Sequence, residues 1–250
     1  MSFATNINLH GKGEFTTIAV FDGTIFLWEK HWRRLTTNAN HLGIDIAAYS
    51  QESVFALLEE AVRVAGITKG RARITILDHS PSPIWSDSRE QKTEVSIVTA
   101  AFRKVPENFR LTASPYLTNS LSPLAGVKSC NYLEKILTLS EAKSRGFDEA
   151  ILVNERGEIT SAAMANVFWL KDGQLFTPSL KTGCLAGTTR EFVLENLECR
   201  EAEAGQSELE TADAIFLTSA GLGVTQVAEF ESKVFQKTRH PIIDLLPTHN

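Results

Sequence analysis

At 250 residues, with 43% hydrophobic and 22% charged residues, the chain has the size and composition of a globular protein with a real core, as one large domain or two modest ones. A net charge of −5 with no basic block argues against a nucleic-acid binder, and no apolar run reaches membrane-spanning length, so neither nucleic acid nor a membrane is expected as a partner. Three cysteines without metal-type spacing and six scattered histidines point to a reducing, cytoplasmic setting, with neither a disulfide scaffold nor a metal site.

The leading segment MSFATNINLHGKG has no apolar signal core. TTIAVFDGTIFLW then reads as a hairpin turning at Asp22-Gly23. HWRRLTTNANHLGI reads as a helix stopped near Gly43. QESVFALLEEAVRVAGI repeats apolar residues at 54, 57, 58, 61 and 62, which predicts a helix ending at Gly66. RARITILD and EVSIVTA read as strands flanking the polar loop HSPSPIWSDSREQKT, and AFRKVPENFR reads as a crossing segment. A boundary near residue 104 gives a small α/β domain over 1–104 and a larger domain over 105–250. In the latter come a strand near 111, the stretch LAGVKSCNYLEKIL, the strand EAILV, the hairpin VFWLKDGQLFTP, a helix from Thr188 and the strand AIFLTSA. The order predicts two α/β units with much antiparallel pairing, without internal repeats.

Three local features carry chemistry. Lys128 follows Ala125-Gly126-Val127 and precedes a helix whose Leu133, Ile136 and Leu137 have the spacing of a packed face. A desolvated lysine can join a carbonyl compound covalently, although taken alone a surface charge is the commoner reading. In GTTRE, Thr188 and Glu191 have capping-box spacing, and a glycine with two threonines at a helix start makes an anion site; an ordinary capped helix is the commoner reading. In HWRRL, His31, Arg34 and Leu35 share a helical face, where an arginine can clamp a phosphate or simply face solvent. GKGEFT lacks the preceding strand of a nucleotide loop, and the serine-lysine pair of SEAK falls mid-helix without companion motifs; both are set aside.

Taken in order, HWRRL, LAGVKSCNYLEKIL, GFDEAILVNERGEIT, ANVFWLKDGQLFTP and CLAGTTRE resemble the class IV aminotransferase family over about residues 11–227. EFTT, LAGVK, NYLE and ANVFW resemble its 4-amino-4-deoxychorismate lyase branch in detail. The resemblance implies a two-domain fold-type IV enzyme of the α/β (α+β) class: a small N-terminal domain, and a larger one with a barrel-like antiparallel sheet that carries the Schiff-base lysine. It implies pyridoxal 5'-phosphate as cofactor, a homodimer, and an amino acid, keto acid or aminodeoxychorismate as substrate. By the same resemblance Lys128 is the catalytic lysine that holds the cofactor and moves the substrate proton. Arg34, Thr188 and Thr189 match the phosphate site, to which the loop at Ser219 and Ala220 also belongs. Tyr132 matches a donor to the phenolic oxygen, and Asn166 a structural asparagine.

Departures from the family pattern are equally specific. Ser161 stands where relatives carry the glutamate that pairs with the cofactor's ring nitrogen. Asp78-His79 replaces an arginine-glycine pair whose arginine binds substrate carboxylate, and GKG replaces glycine-aspartate-glycine. Three readings follow: a lyase eliminating pyruvate to give 4-aminobenzoate, an aminotransferase for branched-chain or D-amino acids, and a cofactor-binding paralogue with little catalysis. A plain α/β domain with an incidental lysine stands against all three.

Overall fold

The structure, a computed structural model, describes residues 4–88 and 90–247; Arg89 of the polar loop and the first three residues of the leading segment lie outside the described residues. The chain divides into two compact units. One runs to Phe102 and takes back Val127–Tyr132; the other holds Arg103–Gly126 and the chain from Leu133 onward. The sequence reading placed Lys128 with the larger domain. The backbone places it with the smaller one, because its segment is strand-paired there.

In the first unit, helix α1 (Asn6–His10), which the sequence reading did not anticipate, leads into strand β1 (Gly13–Phe21). Strand β2 (Thr24–Ile25), helices α2 (Trp28–Leu42) and α3 (Gln51–Val64), and strands β3 (Gly70–Asp78) and β4 (Thr93–Ala101) follow. The sheet order is β2-β1-β3-β4, antiparallel throughout. The turn at Asp22-Gly23 has φ of 49° and 76°, the doubly positive pair that suits the twist of a two-residue hairpin and that Asp-Gly tolerates. Burial alternates along β3, and Ile74 and Ile76 pack with Ile18 and Val20 of β1 and with Leu35, Val54 and Leu58 of the helices. Each of these fully buried aliphatic side chains contributes about 1.5–3 kcal/mol. β2 covers only the far end of β1, so the near end is free to pair with the lysine segment: Phe15 N–H donates to Lys128 O (3.0 Å) and Cys130 N–H to Gly13 O (2.8 Å).

The second unit contains strands β5 (Arg110–Thr118), β6 (Glu149–Asn154), β7 (Ile159–Ala162), β8 (Asn166–Lys171) and β9 (Gln174–Pro178). It continues with β10 (Cys199–Ala202), β11 (Ala214–Ser219), β12 (Gly223–Gln226), β13 (Glu229–Phe230) and β14 (Lys233–Val234). Its helices are α4 (Leu133–Ser144), α5 (Thr188–Asn196) and α6 (Ser207–Thr211). Two five-stranded sheets result, β10-β9-β8-β11-β12 and β14-β13-β5-β6-β7. Both are mixed, because β5 pairs parallel with β6 and β13, and β9 parallel with β10, while the other pairings are antiparallel. The hairpin at Asp172-Gly173 repeats the positive φ pair of the first.

Helix α4 corrects another expectation. Leu133, Ile136 and Leu137, read as its packed face, are 67%, 47% and 53% exposed. Thr138 and Ala142 are its buried residues, so the face turned to the sheet is the one that also carries Lys135.

Candidate active site

The first unit gathers a set of cations around Lys128. Its Nζ lies 4.5 Å from the Phe15 ring centroid and 4.9 Å from that of Tyr132, and 3.4 Å from the Tyr132 hydroxyl. Phe15 and Tyr132 meet edge to face at 5.0 Å, so the amine is half-buried in an aromatic corner. The Arg73 guanidinium covers Phe15 at 3.6 Å and its Nε donates to Thr75 Oγ1. From α2, Arg34 donates through Nη2 to Thr16 Oγ1 at 2.7 Å, and that hydroxyl lies 2.6 Å from His31 Nδ1. A guanidinium can only donate, which leaves the Thr16 proton for the imidazole of a neutral His31. Burial, then the charges of Arg34 and Lys128, holds His31 well below its usual range.

Glu14, beside this chain on β1, is fully buried. Neither of its oxygens, nor Nδ2 of the neighbouring Asn38, completes a hydrogen bond among the described residues. Burial pushes the Glu14 carboxyl up to about 8, against the pull of Asn38 and the Arg34 charge. It is therefore neutral at pH 7, and Arg34, Arg73 and Lys128 keep a net positive field suited to an anionic ligand.

The two departures at residues 12 and 78 prove to be neighbours. Lys12 Nζ lies 2.9 Å from Asp78 Oδ2, and Asn6 Nδ2 and Ser80 N–H also donate to that carboxylate. Burial raises the Asp78 pKa, but the hydrogen bonds from Ser80 and Lys12 more than offset it and hold the group below its usual range. The two residues at which the sequence departs from the family pattern thus meet in one ion pair. Asp78 is tied down as a structural anion.

In the second unit, the helix start predicted at GTTRE is present, with a different cap. Gly187, not Thr188, is the N-cap of α5, and no side chain caps it. A Cβ at Gly187 would fall 1.9 Å from Asn166 Oδ1, while Asn166 Nδ2 donates to Leu185 O at 2.9 Å. Asn166 thus shapes the turn, and any side chain at 187 would have to push its amide aside. Thr188 and Thr189, both buried, open the helix with the orientation of backbone N–H groups that suits an anion. Arg190 is taken up by Glu201 and Pro178 O. Ser219 ends β11, and its carbonyl and hydroxyl oxygens both accept from Leu222 N–H at 3.2 Å in the turn that carries Ala220; the neighbouring buried Thr218 hydroxyl has no partner among the described residues.

Ser161, on β7, is 7% exposed, and Lys135 Nζ on α4 lies 3.4 Å from its Oγ. Beneath them Glu149 Oε1 accepts from Ala150 and Ala163 N–H and Oε2 from Met164 N–H, each at 3.0 Å. Burial lowers Lys135 and raises Glu149, and the opposite charges of the two groups resist both shifts. Lys135, Glu149, Glu14, Thr16 and Arg73 were not singled out from sequence. Only Glu149 left a signal, a carboxylate opening the apolar run EAILV.

The amino-transferase class IV family model matches residues 13–230. The chain belongs to this family, and is an enzyme of it. Among characterised relatives, the D-alanine aminotransferase of Listeria monocytogenes is 27% identical over 93% of this chain and 83% of its own length. The aminodeoxychorismate lyase of Bacillus subtilis is also 27% identical, over 89% and 79%. The branched-chain aminotransferase of Thermoproteus uzoniensis, solved with norvaline, superposes with a TM-score of 0.86 at 26% identity, covering 98% of this chain and 86% of that one. The α/β fold-type IV architecture is thereby established. Among the described residues no helix is long and apolar enough to cross a membrane, no cluster of metal-type ligands occurs, and Cys130, Cys184 and Cys199 are free thiols.

Proposed function

We propose that the chain binds pyridoxal 5'-phosphate through Lys128 and uses it on the amine-bearing carbon of a small carboxylate, with elimination of pyruvate from aminodeoxychorismate to give 4-aminobenzoate as the favoured reaction. The donor set fits the cofactor: an amine among aromatic rings for its carbonyl, and guanidinium and helix-start N–H groups for its phosphate. Arg34 is the charged phosphate ligand, and Thr188 and Thr189 supply N–H donors, joined by the Ser219–Ala220 turn. By the family match Tyr132 would donate its hydroxyl to the phenolic oxygen, and Ser161 would be the residue at the ring nitrogen. The cofactor, once bound, supplies an electron sink for the carbon that bears the amine. Once the substrate's amine has displaced it from the cofactor, Lys128 Nζ would be the free base that takes the proton from that carbon and returns it later in the cycle. Neutral His31 holds Thr16, and through it Arg34, without adding a charge of its own.

The observation that carries the reading is the Lys128 amine in its Phe15–Tyr132 corner beside a field of cations with the nearby carboxyl kept neutral. The lean toward elimination rests on Ser161. Without a carboxylate at the ring nitrogen the cofactor would be a weaker electron sink, and loss of pyruvate, which carries away the electron pair left by the departing proton, would ask less of that sink than amino transfer. Transamination of branched-chain or D-amino acids is the second reading, favoured by the family's aminotransferases. Turnover of aminodeoxychorismate, run beside amino transfer to 2-oxoglutarate, decides between them; failure of both leaves a binding paralogue. We further propose a homodimer working in the cytoplasm. Light scattering should give about twice 27.6 kDa, and a mass equal to one chain rejects the dimer.

A further inference from the structure

Lys135 has no place in the proposed reaction, yet it reaches the buried Ser161. Its helix turns this side chain inward while Leu133, Ile136 and Leu137 remain exposed. Ordering and desolvating a lysine is costly, so a side chain held there needs compensation. The compensation is visible. Glu149 lies on the neighbouring strand β6 with three backbone N–H donors on its carboxylate, a donor set that suits the anion, since a protonated carboxyl must give up part of its acceptor capacity. The carboxylate form of Glu149 and the ammonium form of Lys135 favour each other.

We infer that Lys135 is a positioning residue that turns Ser161 into a hydrogen-bond donor and keeps the cofactor's ring nitrogen unprotonated. The inference rests on the proposed cofactor reading. An ammonium has three N–H donors and no acceptor, so in the Lys135–Ser161 contact the nitrogen donates and Ser161 Oγ accepts. The single Ser161 proton is then directed away from Lys135. An unprotonated pyridine nitrogen offers a lone pair to accept it; a protonated one offers only another donor, with nothing to receive it. The charge acts in the same sense, because a cation behind the serine disfavours a second cation at the ring. The second unit therefore does more than omit the carboxylate that relatives place at residue 161: it installs a positive charge one hydrogen bond behind it.

This reading separates from simple loss of a glutamate. If only the glutamate were missing, restoring it should restore a protonated ring. If Lys135 acts as inferred, the restored carboxylate is taken by the ammonium first. The test uses holoenzyme carrying pyridoxal phosphate labelled with nitrogen-15 in the ring, read by NMR at neutral pH. Wild-type enzyme should show the shift of an unprotonated nitrogen, and Ser161→Glu alone should remain unprotonated. The double variant Ser161→Glu, Lys135→Met should become protonated, and Ser161→Glu, Lys135→Arg should revert to the unprotonated shift. Thermal unfolding of each apoprotein selects folded variants, and Lys135→Gln replaces Lys135→Met if the latter is unfolded. A protonated nitrogen in the Ser161→Glu single variant, equal to that in the double, overturns the role of Lys135 while leaving the cofactor reading intact. A ring shift indifferent to both positions overturns this inference alone, whereas borohydride-fixed cofactor on a lysine other than Lys128 overturns the cofactor reading and this inference with it.

Discussion

Glu14 in the first unit and Glu149 in the second are both almost completely buried carboxyls, and the fold meets the cost of burying them in opposite ways. Glu149 is given three backbone N–H donors and a lysine within electrostatic reach, which pull against the upward shift that burial imposes on it and tie the carboxyl to the 162–165 turn. Glu14 is given no completed hydrogen bond, and stays neutral by holding its proton. The difference teaches why the first unit can be so positive around Lys128 although a carboxyl lies beside Arg34. A charged Glu14 would neutralise the arginine; a protonated one fills the space and leaves the guanidinium available. The second unit spends its buried carboxylate on a turn and on Lys135.

The harshest way to break this contrast is to remove the amine that the first unit surrounds. Lys128→Ala should abolish covalent cofactor attachment completely, seen as loss of the visible absorbance and of borohydride fixation, while Lys135 stays unlabelled. Retained fixation in this variant refutes the assignment.

Exchanging each glutamate for glutamine probes the contrast itself. The Glu14 carboxyl binds its proton more tightly in the folded chain (about 8) than in the unfolded chain (4.5), so its contribution to stability is full below pH 4.5 and is lost as pH rises toward 8. Glu14→Gln has no such proton to lose. Relative to wild type it should gain on the order of a few kcal/mol between pH 5 and pH 9, read from urea denaturation at the two values. Glu149→Gln should instead destabilise by about 1–3 kcal/mol at neutral pH, because its amide nitrogen would face N–H groups that now donate to a carboxylate. Equal behaviour of the two variants would erase the distinction.

Arg34→Ala should weaken cofactor affinity by about ten- to a hundred-fold, corresponding to loss of a charge-assisted contact of roughly 1.5–3 kcal/mol. An unchanged dissociation constant would show that the cations of the first unit serve some other anion. The smallest effect concerns the turn before α5. Gly187→Ala displaces the Asn166 side chain and should cost about 0.5–1.5 kcal/mol through the lost bond to Leu185 O. Asn166→Ala should cost a similar amount, and the double variant little more than either alone; additive losses in thermal unfolding would mean the two residues do not share that turn.

Where chemistry is local, the sequence was a good guide. Asp-Gly at 22–23 and 172–173 demands doubly positive φ and so marks both hairpins; apolar residues at helical spacing mark α3; and Lys128 is recognisable because Gly-Val-Lys and Asn-Tyr-Leu flank it in family order. These features depend on residues a few positions apart, whose steric and hydrogen-bonding preferences act without the rest of the chain. Local spacing failed where one face had to be chosen over another. Leu133, Ile136 and Leu137 form an apolar stripe by any helical count, yet packing turned Thr138 and Ala142 inward. The capping box at Thr188 was equally reasonable, yet the close approach of Asn166 moved the cap to Gly187.

By itself, the sequence determined the family and most of the elements of the α/β chain, and it singled out the lysine proposed to hold the cofactor. Tertiary structure alone decided that Lys12 and Asp78 form an ion pair, that Glu14 keeps its proton, and that Lys135 stands behind Ser161 with Glu149 in support. Charge state and hydrogen-bond direction depend on desolvation and on partners far away in the chain, and both are set only when distant strands and helices close around a group and exclude water.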